Sequence, residues 1–294
     1  MMVTVGISFY NAENTLTNAI RSVFAQDFQD WELILVDDGS TDNSLEIAKA
    51  VIDPRVRVIS DGIKRNLAVR LNQIAREARS SLLARLDADD IISPRRLSRQ
   101  LEVIQEEKIQ IVTSGMAMLS KDYKFVGYRG KRRDKISMIS LLRGHGIAHA
   151  TILARTEWFL HNSYNENYSR SGDVELWCRT WHNGQLNLHN VAFIDEPLYF
   201  CREEAGVSLK KTLADHRILR SLIRAYGAAS LKQMGVYCEL LRSYINSGVL
   251  CCCGLVGLLP ATRIRNRGAC EPEMCLKVQA EIKHVLTTKV PGLD

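Results

Sequence analysis

Leu82-Leu83-Ala84-Arg85-Leu86-Asp87-Ala88-Asp89-Asp90 is the stretch whose reading decides the fold. A mainly apolar run, Leu82 to Leu86, stops at three carboxylates within four residues. Carboxylates so close repel one another and destabilise the chain unless a cation or hydrogen bonds compensate. Mn²⁺ or Mg²⁺ suits such a site, because it takes oxygen ligands from one or two carboxylates and the rest from substrate phosphates. The plainer reading is a helix cap: Asp90 or Ser93 precedes Pro94, which opens a helix expected to run to Glu107.

The same pattern occurs earlier. Trp31 to Val36 reads as a strand and stops at Asp37-Asp38-Gly39-Ser40. A carboxylate there could accept hydrogen bonds from a ribose or base, although Asp and Gly also make an ordinary turn. Val3 to Phe9 is a third β-rich run, ending in Tyr10-Asn11, and Arg55 to Ile59 a fourth. Helical spacing fills the gaps, over Asn14 to Ala25, Leu45 to Val51 and Leu67 to Ala78. Strands alternating with helices predict an α/β fold with a mostly parallel central sheet. Ligands bind such sheets beyond the carboxyl ends of strands, where Ser8, Tyr10, Asp38, Asp87 and Asp89 fall. Neither Gly-x-Gly-x-x-Gly nor a phosphate-loop lysine is present, which disfavours dinucleotide and P-loop folds.

Composition sets outer limits. In 294 residues, 46% hydrophobic, a full-sized core can be buried, and global disorder is excluded. The formal charge of +6 is unevenly spread. Between Val207 and Arg267 the only acids are Asp215 and Glu239, among many lysines and arginines. That predicts a catalytic body, residues 1–208, followed by a basic, mainly helical extension, residues 209–294. The eight cysteines lack zinc-site spacing, and Cys251-Cys252-Cys253 suits neither a metal site nor a disulfide framework. Met1 to Tyr10 reads as a strand rather than a leader, so a cytoplasmic chain is expected.

Taken together, these segments resemble the family 2 glycosyltransferases, which have the GT-A fold. The matching stretches are Val5 to Asn11, Val36 to Ser40, Leu67 to Asn72, Ala84 to Leu97, Ser171 to Arg179 and Asp195 to Arg202. The resemblance implies an inverting transferase that moves a sugar from a nucleotide diphosphate, a UDP-sugar first among candidates, to an acceptor hydroxyl. It also implies the roles. Ser8, Tyr10 and Asp38 would contact the nucleoside, and Asn72 and Arg85 would line the donor pocket. Asp87 would approach the ribose or the Mn²⁺ or Mg²⁺, and Asp89 would ligate the metal. Arg202 would touch phosphate. Asp173 would be the general base, with Glu175 the next carboxylate in its segment. His149 would contact acceptor or phosphate, or complete the metal shell. By analogy with relatives that build bacterial surface polysaccharides, the acceptor would be a saccharide or lipid-linked saccharide.

Asp173 could merely cap the helix Val174 to Trp181, and His149 could be a hydrogen-bonded core residue. Val249 to Leu259, followed by Arg263, Arg265 and Arg267, would suit a helix lying on an anionic membrane at the inner face of the plasma membrane, or one packed on the body. Nucleic acid is not an expected partner, since no recognition module accompanies the basic residues. The rival functions are a nucleotidyltransferase, a receiver-like regulator and a non-catalytic sugar-nucleotide-binding protein.

Overall fold

The structure is a computed structural model, described for residues 2–129, 136–144, 147–203, 208–255 and 272–294. The first half alternates β1 (Val3–Phe9), α1 (Leu16–Phe24), β2 (Trp31–Asp37), α2 (Ser44–Ala50), β3 (Val56–Ile59), α3 (Leu67–Glu77) and β4 (Leu82–Asp87). The second half is more mixed: β5 (Ile91–Ile92), α4 (Arg96–Ile104), β6 (Ile111–Leu119), β7 (Phe125–Arg129), α5 (Met138–Leu142), β8 (Leu153–Arg155), α6 (Thr156–His161), α7 (Gly172–His182) and β9 (Val191–Arg202). Three helices follow, α8 (Leu209–Ser230), α9 (Gln233–Leu255) and α10 (Pro272–Thr287).

The described strands form one nine-stranded sheet, in the order β3-β2-β1-β4-β8-β6-β9-β5, with β7 paired to β6. The β3-β2-β1-β4 half is parallel throughout, as the alternation of strands and helices predicts. Beyond β4 the sheet is mixed. β8 runs antiparallel to β4 and β6, whereas β6 and β9 are parallel.

Helices on both faces explain the near-continuous apolar strands. In β2, Leu33 and Leu35 join one core cluster, with Ile7, Leu16 and Ile20. Ile34 and Val36 point the other way, into a cluster with Leu71, Ile74 and Trp177. Period-two alternation thus feeds two cores from one strand.

The expected helix to Glu107 ends at Ile104, and it starts after β5, a strand of two residues too short to read from periodicity. β5 exists because Ile91 and Ile92 pair with Phe200 and Tyr199 of β9. The basic extension expected from residue 209 includes α10, which packs on the sheet body. Val278, Ile282 and Val285 of α10 are buried against Ala25, Ile91, Leu119 and Phe200 of the sheet body. Polar contacts reinforce this: Ser93 Oγ donates to Glu281 at 2.6 Å, and Lys277 meets Glu196 at 2.9 Å. Of the expected membrane segment only Val249 to Leu255 lies in α9. Residues 256–271, with Arg263, Arg265 and Arg267, lie outside the described residues.

Candidate active site

Register brings the acidic strand ends together. Ser8 of β1 pairs with Asp87 of β4 on one side and Val36 of β2 on the other. The Asp38 amide donates to the Phe9 carbonyl at 2.8 Å, so β1 and β2 end side by side. Chain reversal after β2 needs Gly39, at φ +74; a Cβ there would lie 2.7 Å from the Lys64 backbone nitrogen. Asn11 also adopts a left-handed conformation, φ 50, and its side-chain oxygen accepts from the Thr41 amide at 2.8 Å. Tyr10 is exposed beyond β1, with the Lys64 ammonium 3.2 Å from its ring centroid.

Asp38 is buried and tightly held. Its Oδ1 accepts from the Arg65 amide and from Arg70 Nε, each at 2.9 Å. Arg70 has no exposed surface, and its other nitrogens reach Asp61 at 2.7 Å and Gln73 at 3.0 Å. The Arg70 guanidinium, with the Ile63 amide, holds the Asp61 carboxyl far below the usual carboxylate range. Sequence reading missed Arg70, although it lies within the matching Leu67 to Asn72 segment. The loop between β3 and α3 is therefore shaped by one buried guanidinium bridging two carboxylates.

None of the three carboxylates after β4 caps α4: its N-cap is Arg95, without a side-chain bond. Each has a different setting. Asp90 is buried; it accepts from the Tyr199 hydroxyl at 2.7 Å and from the Arg202 amide at 2.7 Å. Burial, and then the charges of Asp87 and Asp89, push its carboxyl well above the ordinary range. Asp87 is paired with Arg85 and keeps 30% of its side chain exposed. Asp89 is half-buried. Negative charge is thus crowded at one strand end, and two of the three carboxylates retain access to solvent. That donor set fits a divalent cation sharing its shell with a diphosphate. Among the described residues no three His, Cys, Asp or Glu side chains converge as a closed metal cage.

Arg85 extends the site toward α7. Its second nitrogen lies 2.7 Å from His149 Nδ1, and His149 Nε2 lies 2.6 Å from the Tyr164 hydroxyl. Arginine can only donate, so Nδ1 is the acceptor and Nε2 carries the proton. Burial and the neighbouring Arg85 charge hold His149 well below its ordinary pKa, hence neutral. With both ring nitrogens engaged, His149 has none left for a metal and instead links Arg85 to Tyr164. Trp177 packs edge-on against the imidazole at 5.9 Å. Asp173 sits one helical turn before Trp177, on the same face of α7. It is half-buried, near enough to Arg85 and Tyr164 to perturb both, and accepts no hydrogen bond from a described residue. The α7 N-cap is Ser171, at φ 53, and makes no side-chain cap bond, so Asp173 lies inside the first turn rather than capping it. Glu175 is occupied: it accepts from Arg179 at 2.8 Å and from Tyr226 at 3.0 Å.

Asn72 and Arg202 also make contacts within the protein. The Asn72 amide is spent on the loop before α7, donating to the Tyr164 carbonyl at 2.9 Å and accepting from the Tyr164 amide at 2.8 Å. It therefore positions Tyr164, and through it His149. Arg202 donates through Nε to the Lys121 carbonyl at 3.0 Å, with its guanidinium 5.7 Å from the Tyr123 ring centroid.

Arg96 lies within the matching Ala84 to Leu97 segment, but its burial was not legible there. It is fully buried, donating to the carbonyls of Arg85 and Ile152 at 2.9 Å and to Gln100 at 3.0 Å. Burial without a carboxylate among those partners lowers its pKa to about 10. It ties β4 to the segment that carries His149.

Comparison with known proteins agrees with this geometry. The profile of Glycosyl transferase family 2 matches residues 4–157, which include the two acidic strand ends and His149. EpsE of Bacillus subtilis (strain 168), which bears a glycosyltransferase name, is 31% identical over 219 residues, 71% of this chain and 76% of that protein. WfgD of Escherichia coli, a glucosyltransferase, is 27% identical over 197 residues, 66% of this chain and 75% of that one. Among solved structures, Staphylococcus aureus TarS (residues 1–349) superposes with a TM-score of 0.60 at 18% identity, over 84% of this chain and 72% of that one. The mannosyltransferase PcManGT of Pyrobaculum calidifontis gives 0.58 at 16%, over 97% and 85%. These two share the fold. The nucleotidyltransferase and receiver-like readings fall away: the chain is a glycosyltransferase and belongs to glycosyl transferase family 2.

Proposed function

We propose that the chain transfers a hexose, with inversion, from a UDP-sugar to a hydroxyl of a lipid-linked saccharide in the synthesis of a surface polysaccharide. WfgD is named as using UDP-Glc and an α-D-GlcNAc-diphosphoundecaprenol acceptor, which supports that choice of donor and acceptor. One arrangement carries the reading. The in-register ends of β1, β2 and β4 form a donor side, and Asp173, near Arg85 on the opposite element, accepts no hydrogen bond from a described residue.

In this reading Tyr10 and Asp38 receive the nucleoside, and Ser8 lies between them and Asp87. Asp87 and Asp89 would hold Mn²⁺ or Mg²⁺, which when bound neutralises charge on the departing diphosphate. Asp173 takes the proton from the acceptor hydroxyl as that oxygen attacks the anomeric carbon. A single displacement needs one base, and with Glu175 tied to Arg179 and Tyr226, Asp173 is the carboxylate of that segment that accepts no hydrogen bond from a described residue. Inversion follows. Arg85, fixed by Asp87 and His149, keeps a positive charge between donor and base.

The test is transfer from radiolabelled UDP-glucose or UDP-N-acetylglucosamine to a synthetic lipid-diphosphate saccharide, with Mn²⁺ or with a chelator. Metal-dependent product of inverted anomeric configuration is expected. A retained configuration, or full activity in chelator, overturns the mechanism.

A further inference from the structure

The helix pair that follows the catalytic body carries apolar side chains on two sides. Between α8 and α9, Val236 and Leu240 pack with the cluster that holds Leu222 and Ile223, beside polar contacts: His216 Nδ1 lies 3.2 Å from Ser243 Oγ, and Arg220 donates to Ser243 at 3.3 Å and to Ser247 at 3.1 Å. Ser243 is 2% exposed. The outward face is apolar. Met234, Tyr237, Leu241, Tyr244, Ile245 and Val249 are each more than half exposed. Their spacing of three, four or seven residues puts them along one side of α9. A helix facing water normally shows the reverse pattern, and a run of this size marks an interaction surface.

The exposed charge of the helix pair has one sign. The exposed charged residues of α8, α9 and the turn between them are Lys210, Lys211, Arg217, Arg224, Lys232 and Arg242. Both acids of the pair are already matched, Asp215 by Arg170 at 2.7 Å and Glu239 by Arg143. Pressing two copies together through this face would bring like charges together. An anionic lipid surface instead complements the exposed basic residues of the pair, and its acyl boundary takes the apolar stripe. No described helix is long and apolar enough to cross a membrane, and a single apolar face along α9 is the pattern of a helix that lies in an interface. Tyrosines at two positions of the stripe suit that depth, since one end of the ring is apolar and the other wet.

We infer that the outward face of α9 is the membrane-docking surface of this enzyme and that its ligand is an anionic phospholipid bilayer. The stripe begins well before the expected segment at Val249 and does not depend on it. The inference deepens the proposed reaction, because docking α9 would bring the site to a lipid-linked acceptor. It stands apart from that reaction in its test, which needs no sugar donor.

The full-length chain is floated with vesicles of phosphatidylglycerol and phosphatidylethanolamine, and with vesicles of phosphatidylcholine alone. Binding to the first, weakened by salt, and little binding to the second are expected. The double variant Leu241→Ser/Ile245→Ser should lose at least tenfold in vesicle affinity with its melting temperature unchanged. Arg242→Gln should lose roughly fivefold. Should the double variant fail to fold, Tyr244→Trp carries the test, with a blue shift of emission on anionic vesicles. The inference is overturned if the folded double variant floats like the parent, if the Tyr244→Trp emission does not move, or if the parent ignores anionic vesicles and is instead a dimer that the double variant makes monomeric.

Discussion

Arg85 and His149, 64 residues apart in sequence, meet at 2.7 Å, with the arginine donating to an imidazole that burial keeps neutral. The contact has a measurable pH signature. A histidine whose folded pKa lies below its unfolded value of about 6.5 binds its proton preferentially in the unfolded chain. Stability is then intact above pH 6.5 and falls as the pH drops below it, by about 1.4 kcal/mol per unit, until the folded pKa is reached. His149→Gln can accept from Arg85 and donate to Tyr164 but does not titrate. Denaturant melts at pH 7.5 and 5.5 should show a smaller acid loss in this variant than in the parent. Equal losses would mean that His149 is not held neutral.

Arg70 ought to be the most damaging single loss on the donor side. Its removal leaves the buried Asp38 carboxylate without its guanidinium and frees the Asp61 loop. Breaking a buried pair in this way costs about 3–5 kcal/mol. Arg70→Ala should therefore lower the unfolding free energy by that order and weaken UDP binding by calorimetry. Unchanged UDP affinity in a folded Arg70→Ala protein would separate Asp38 from the nucleoside.

Asp89→Ala should leave the fold intact, because the side chain is half-buried at a strand end and Asp90 provides the structural bonds to Tyr199 and Arg202. Its effect should appear in metal-dependent UDP affinity. Calorimetry with and without Mn²⁺ should show the metal enhancement largely gone. If the enhancement persists, the metal is held elsewhere.

For Asp173→Asn, melting temperature should stay near the parent value, since the carboxylate makes no cap bond. Nucleotide binding should also persist. Turnover should fall by about 10²–10⁴-fold, the usual cost of losing a general base. Near-normal transfer would remove Asp173 from catalysis, and Glu175 could not replace it without leaving Arg179 and Tyr226.

Removing residues 272–294 should unfold the catalytic body rather than merely detach a tail. Val278, Ile282 and Val285 are buried, and burying each side chain contributes roughly 1.5–3 kcal/mol. Their sum is comparable with the whole margin of a typical domain. A soluble truncated chain that melts cooperatively near the parent temperature would contradict the packing of α10.

The parallel half of the sheet and its acidic strand ends were legible in the sequence. Continuous apolar runs closed by Asp-rich turns report a local property, burial on both faces followed by chain reversal, and each signal fits within a dozen residues. Asp38, Asp87 and Asp89 could be placed for that reason, whereas Asp173, in the first turn of α7, was named through the resemblance of the segment Ser171 to Arg179. Other features depended on partners distant in sequence. β5 is two residues long and exists only through its pairing with β9, and the burial of Arg70 and Arg96 follows from acceptors on other elements. Whether His149 was a metal ligand or a link depended on Arg85 and Tyr164 arriving at its two nitrogens. Asn72 shows the same limit: its segment was recognisable, but its amide turned to the loop 92 residues on. Sequence by itself determined which residue types stand at the strand ends, because local periodicity encodes burial. Tertiary structure alone decided which of those polar groups are spent on one another and which remain for a ligand, because a hydrogen bond is satisfied by whatever lies within about 3 Å, however far away in the chain.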